Sequence, residues 1–157
     1  MEQQDCRRIV EQYADMVLQI AYQNLKNRAD AEDITQEVFL RLITSAPVFA
    51  GEEHQKAWLI RVTINLCKNH LKTVWNRRTT TLDETCFPME EDQRELLCAV
   101  CELPAKFRNV IYLQVYQGYS VAEIAQILGR SKNTVGSWLY RGRAKLKQQL
   151  KGGCEDE

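Results

Sequence analysis

Apolar residues recur at intervals of three and four along most of the chain, the period of a helix that buries one face. No segment keeps the strict alternation of a half-buried strand, so the pattern predicts an all-α fold. A first helix is predicted from Asp5 to Asn24, with Ile9, Tyr13, Val17, Ile20 and Ala21 on its apolar stripe. A second begins near Asp30, whose carboxylate is placed to cap free backbone N–H groups, with Glu32 and Asp33 in the first turn where the helix dipole favours acid. It turns Ile34, Val38 and Leu42 inward. After a loop around Pro47 and Gly51, a third helix covers His54 to Asn76, and these three helices make one small module.

Residues 77–92 break the periodicity with Thr, acid and Pro88, which predicts a linker between residues 1–76 and a second helical module over residues 93–151. That module starts with a helix from Asp92 to Leu103 and continues from Pro104 to Tyr116, where Gly118 stops it. Ser120 and Glu123 then form a capping box, and Tyr119 and Ile124 the hydrophobic staple that goes with it. The helix is short, because Gly129 ends it after two turns. Ser131 caps a last helix to about Leu150 through Val135, Leu139 and Leu146, and the pair reads as a helix-turn-helix with Ala125 at the crossing.

Charge changes this picture more than composition does. The formal net charge is zero, from 21 basic and 21 acidic residues, yet residues 54–78 hold six basic side chains and no acidic one, and residues 130–151 hold seven and none. In the third helix Trp58, Arg61, Asn65, Lys68, Lys72 and Trp75 share one face, opposite Leu59, Ile60, Ile64, Cys67 and Leu71. Cations interleaved with indoles suit a strand whose bases are exposed; tryptophans acting as core anchors beside solvated lysines fit the same spacing. In the last helix Arg130, Lys132, Thr134, Ser137, Tyr140, Arg141 and Lys145 are the candidate DNA contacts, phosphate-binding first of all.

Cys67 with His70, and Cys98 with Cys101, have spacings that zinc ligands use, but each pair sits inside an amphipathic helix where Cys also serves as a small apolar residue. No metal or other cofactor is expected. With two histidines, no glycine-rich phosphate loop and no nucleophile beside a base, the chain is not expected to be an enzyme. Neither a signal peptide nor a membrane-length apolar run is present, so membrane insertion is not expected and a cytoplasmic location is, with the cysteines as reduced thiols.

The motifs resemble a family. Asp30-Ala31-Glu32-Asp33-Ile34-Thr35-Gln36-Glu37-Val38-Phe39-Leu40-Arg41-Leu42 looks like the polymerase-binding helix of bacterial sigma factors of the extracytoplasmic-function group. Ala57-Trp58-Leu59-Ile60-Arg61-Val62 through Leu71 resembles their promoter-melting helix, and Tyr119 to Leu150 their C-terminal helix-turn-helix. The resemblance implies a non-catalytic subunit of bacterial RNA polymerase made of sigma regions 2 and 4. Its Asp33, Gln36, Glu37 and Arg41 would meet the β′ clamp helices, and region 4 would have the β flap as a partner. Region 2 would capture and melt the minus-10 element, with the loop from Ser45 to Glu53 as a base pocket, and region 4 would read the minus-35 element. An anti-sigma factor is a further partner class it raises. Gly136 and Trp138 stand where relatives often carry a basic residue, and Gly142 where Ala is usual. The competing reading is a stand-alone dimeric helix-turn-helix regulator, from which the polymerase-binding motif separates it.

Overall fold

The computed structural model describes residues 3–45, 47–74, 96 and 98–153; the predicted linker, Trp75 and residues 92–95 and 97 of the predicted Asp92–Leu103 helix lie outside them. The described residues form α-helices joined by turns, with no strand among them. The chain divides into two compact units, Met1–Asp83 and Glu84–Glu157.

In the first unit, α1 (Gln3–Leu25), α2 (Arg28–Ser45) and α3 (Glu52–Val74) all pack on one another. Every residue of the predicted α1 stripe is buried, and Tyr22, Gln23 and Asn24 are buried as well, so the last turns of α1 are enclosed on more sides than the stripe implied. The start of α2 differs from the expectation. Lys26 adopts a left-handed conformation, φ 59°, that closes α1. Asn27 then caps α2, its side-chain oxygen accepting from the Asp30 backbone N–H at 2.9 Å. Asp30 therefore lies inside the first turn, not at the cap. Its carboxylate reaches instead to His70 of α3, 3.4 Å away. In α3, Leu59, Ile60, Ile64 and Cys67 are buried as predicted, together with Thr63, whose hydroxyl donates to the Leu59 carbonyl at 2.6 Å.

In the second unit, residues 98–101 are helical, and α4 (Ala105–Val115), α5 (Val121–Leu128) and α6 (Lys132–Gly153) follow. Residues Phe107 through Leu113 of α4 are all buried, so this helix is the core of the unit, packed by α5 and α6. Arg108 is among them. Its guanidinium donates to the carbonyls of Cys101 and Leu103, at 3.2 and 3.0 Å, and so holds the corner at Pro104. The capping box of α5 is complete: Glu123 N–H donates to Ser120 Oγ at 3.1 Å and Ser120 N–H to the Glu123 carboxylate at 2.9 Å. Gly129 takes the left-handed conformation that ends α5, φ 71°, and Ser131 Oγ accepts from Thr134 N–H at 3.1 Å to start α6.

Gly142 has a packing role. A Cβ there would lie 2.7 Å from Ile111 Cδ1 and 3.1 Å from Phe107 Cβ, so the absence of a side chain lets α6 lie close against α4. Gly136 has none, since its added Cβ would meet nothing within 4 Å.

Candidate nucleic-acid interface

The first unit presents two different faces. On α2, Asp33, Gln36, Glu37 and Arg41 reach solvent, and Arg41 pairs with Glu37 at 3.2 Å, one turn apart. Such an exposed pair contributes little to stability. The centre of this outward face is apolar: Leu40 and Ile43 are 52% and 51% exposed. Sequence reasoning missed both. The signal was available, because Leu40 and Ile43 fall off the register of Ile34, Val38 and Leu42 and so have no place in the core.

On α3, Arg61, Asn65, Lys68 and Lys72 are exposed along one face, opposite the core residues. Trp58 joins them differently. It is half-buried, and its ring meets Phe49 edge-on with centroids 5.8 Å apart. Phe49 also meets His54 edge-on at 5.4 Å, while His54 Nδ1 accepts from Ala50 N–H at 2.9 Å. The indole is thus partly engaged by the loop before α3, and the three rings tie that loop to the cationic face. Phe49, Gly51, Glu52 and Gln55, with Arg8 and Gln12 of α1, line an open cleft of about 300 Å³ beside it. Neither Phe49, in the loop, nor His54, in the first turn of α3, stood out in sequence, since neither belongs to a periodic face.

In the second unit, Thr134, Ser137, Arg141 and Lys145 follow one another along α6 at helical spacing, opposite buried Val135 and Leu139. Ser137, Arg141 and Lys145 are exposed, and Thr134 is half-buried with its hydroxyl accepting from Ser131 at 2.9 Å. Lys132 and Arg130 are exposed at the start of the helix, and Tyr140 is 76% exposed. Arg108 is internal and so not available to such a surface, and exposed Arg143 donates to the Gln114 side chain of α4. Trp138 is half-buried, with Arg130 Cζ 5.6 Å and Lys106 Nζ 5.9 Å from its ring centroid.

Among the described residues, no group of three or more His, Cys, Asp or Glu is placed to hold an ion. Cys67 and Cys101 are buried in their helices as small apolar residues, and His70 faces Asp30. Among the described residues no helix is long and apolar enough to cross a membrane.

Comparison with known proteins agrees with this architecture. The family model for Sigma-70 region 2 matches residues 9–77, and that for Sigma-70 region 4 matches residues 93–146. The ECF RNA polymerase sigma factor SigE of Mycolicibacterium smegmatis is 33% identical over 155 residues, covering 90% of this chain and 60% of its own length. SigW of Bacillus subtilis, also an ECF RNA polymerase sigma factor, is 28% identical over 163 residues, covering 91% of this chain and 87% of its own. The chain therefore spans about three-fifths of the first relative and most of the second. Among solved structures, the sigma factor RpoE in complex with the anti-sigma factor NepR from Bartonella quintana aligns with TM-score 0.74 at 20% identity, over 98% of this chain and 99% of that one. CnrH in complex with the cytosolic domain of CnrY aligns with TM-score 0.73 at 23% identity, over 96% and 90%. At these identities the two structures speak to the fold alone. Region 2 and region 4 models in order, on two all-helical units, place the chain in the sigma-70 family of RNA polymerase sigma factors, in its extracytoplasmic-function group.

Proposed function

We propose that this chain binds bacterial core RNA polymerase and directs it to promoters, reading and melting the minus-10 element with its first unit and binding the minus-35 element with its second. The observation that carries this reading is that each unit exposes one cationic helix face, Arg61 to Lys72 on α3 and Arg141 to Lys145 on α6. Phosphate contacts from such faces supply affinity, and neighbouring groups supply choice of sequence. On α3 the face adjoins a loop whose Phe49 ring and cleft suit an unstacked base, so this unit takes the opened strand. On α6 the polar row of Thr134, Ser137 and Arg141 belongs to the second helix of a helix-turn-helix, the element that enters a major groove. The chain itself does no covalent chemistry, and works in the cytoplasm where polymerase and promoter are.

The polymerase contact is the outward face of α2. Asp33, Gln36, Glu37 and Arg41 give it polarity and direction, and Leu40 with Ile43 gives it apolar area to bury, at roughly 25 cal/mol per Å². The partner surface is the β′ clamp helices, with the β flap for region 4, and an anti-sigma factor would compete by covering the same faces. Co-elution with purified core polymerase tests this. Asp33→Lys with Glu37→Lys, and separately Leu40→Glu, should each weaken association at least tenfold while leaving helicity unchanged, because none of these side chains is in the core. Unchanged association in both variants would remove α2 as the docking face.

A further inference from the structure

The loop that carries Phe49 is tied to α3 by a histidine. Because α3 begins at Glu52, His54 stands third in the helix, where the Glu or Gln of a capping box reaches back to the preceding main chain. His54 does the same. Its Nδ1 accepts from Ala50 N–H at 2.9 Å, while Gly51, with no side chain to offer, supplies the carbonyl that accepts from Gln55 N–H at 3.0 Å. A ring nitrogen that accepts such a bond carries no proton, so the imidazole is neutral with its hydrogen on Nε2. The same ring meets Phe49 edge-on at 5.4 Å, and Phe49 in turn meets Trp58 at 5.8 Å. Ala50 follows Phe49 in the chain, so one imidazole holds both the main chain and the aromatic wall of the cleft that Arg8 and Gln12 help to line. His54 is exposed, and a solvent proton can reach it. Once protonated, Nδ1 is a donor facing a donor, and the bond to Ala50 is lost.

We propose that His54 is the positioning residue of this cleft: as a neutral imidazole it holds Phe49 ready to receive an unstacked base, and on taking up a proton it releases the loop. The inference rests on the reading that the loop and the α3 face take the opened strand. The loop from Pro47 to Gly51 brings no charged side chain to His54. On α3 itself, Glu52 and Glu53 precede it and Lys56 follows. From α1, Arg8 lines the same cleft as Phe49 and Glu52, and Tyr13 feels both first-turn carboxylates. The direction of the pH dependence follows from the bond to Ala50. The held loop binds one proton fewer than the released loop, so it is favoured above the range in which histidine titrates and is lost as pH falls through it. Promoter opening should therefore decline in mild acid by about two- to tenfold, the net worth of one hydrogen bond.

Promoter opening by the full chain assembled on core polymerase tests the proposal, followed with a fluorescent aminopurine in the minus-10 element at about pH 8 and about pH 6, either side of the ordinary histidine value. Wild-type opening should slow about two- to tenfold in acid. His54→Gln keeps an acceptor for Ala50 N–H that does not titrate, so it should open as fast as wild type near pH 8 and show no acid decline. His54→Phe keeps a ring beside Phe49 but has no acceptor, and should be slow by about two- to tenfold at both pH values. A merely structural role for the ring would produce neither flat profile. An acid decline shared equally by wild type and His54→Gln belongs to other groups and overturns the proposal. So does a wild-type profile without a decline, or His54→Phe opening as fast as wild type. In the free chain, nitrogen NMR of the two histidines should find Nδ1 of His54 unprotonated near pH 8, and a proton there would contradict the tautomer. Phe49→Ala separates this inference from the reading beneath it. If Phe49→Ala slows opening while both His54 variants match wild type, the cleft takes a base without help from His54 and only the proposal falls. If Phe49→Ala also leaves opening unchanged, the reading of the cleft falls with it.

Discussion

Two glycines in α6 should respond to alanine in opposite directions. In a helix interior Gly costs about 1 kcal/mol relative to Ala, so both substitutions start with the same gain. At Gly136 the new Cβ meets nothing within 4 Å, and the gain of about 1 kcal/mol should appear in full. At Gly142 the Cβ would press to 2.7 Å from Ile111 Cδ1 and 3.1 Å from Phe107 Cβ. Ile111 is 1% exposed and has no room to swing away, and the Phe107 Cβ moves only with its backbone. Overpacking of this kind costs about 1–3 kcal/mol, so Gly142→Ala should come out destabilising by about 1 kcal/mol. Ile111→Val removes the clashing Cδ1 itself, at about 0.5–1.5 kcal/mol for the deleted methylene. In that background Gly142→Ala should be neutral or stabilising, a coupling of about 1 kcal/mol or more. Urea unfolding followed by fluorescence measures this, with Trp58→Phe and Trp75→Phe leaving Trp138 as the reporter of the second unit. Gly142→Ala stabilising as much as Gly136→Ala would refute the close α4–α6 contact.

Three further outcomes are expected. Burial pushes the Tyr112 phenol up to about 12 from an ordinary value of 10, with the hydrogen bond from Gln117 opposing it and Tyr116 adding to it. The folded state then holds its proton where the unfolded state has released it, so a contribution of about 3 kcal/mol is fully present below pH 10 and lost as pH rises towards 12; denaturation against pH should show this fall, flattened in Tyr112→Phe. Arg108→Met should cost about 2–4 kcal/mol in urea unfolding, because the Cys101 and Leu103 carbonyls lose a charged donor inside the fold. Gln23 is 1% exposed with both side-chain amide atoms unpartnered among the described residues, so Gln23→Met should raise the stability of the first unit by about 1–2 kcal/mol in thermal unfolding.

Local signals made much of this architecture legible. The Ser120–Glu123 box, the Tyr119–Ile124 staple and Gly129 lie within a few residues of one another, and each acts on the backbone it belongs to, so sequence sufficed to find α5 and its end. Four of the buried residues of α3, Leu59, Ile60, Ile64 and Cys67, followed from period, whereas Thr63 and Leu66 are buried outside that reading and Leu71 is only half-buried. The start of α2 is ambiguous in sequence because Asn27 and Asp30 are both competent caps, and the left-handed Lys26 decides between them. Charge counting could not tell Arg108 from its exposed neighbours, since it bonds inward to main-chain carbonyls, nor show that exposed Arg143 bonds to Gln114 on another helix. The Lys106–Trp138 pairing joins residues far apart in sequence, and no local pattern announces it. Leu40 and Ile43 are visible as apolar residues out of register, but the charges around them dominate the pattern of α2.

This chain should confer promoter choice on a polymerase that lacks it. The decisive experiment is transcription by purified bacterial core RNA polymerase on fragments of the chain's own genome, with and without the full chain. Start sites should appear only when the chain is present, each preceded by two sequence elements at constant spacing, and they should vanish in the Asp33→Lys/Glu37→Lys variant. No chain-dependent start site, together with a dimer that binds duplex DNA unaided, would overturn the sigma-factor reading and favour a stand-alone helix-turn-helix regulator.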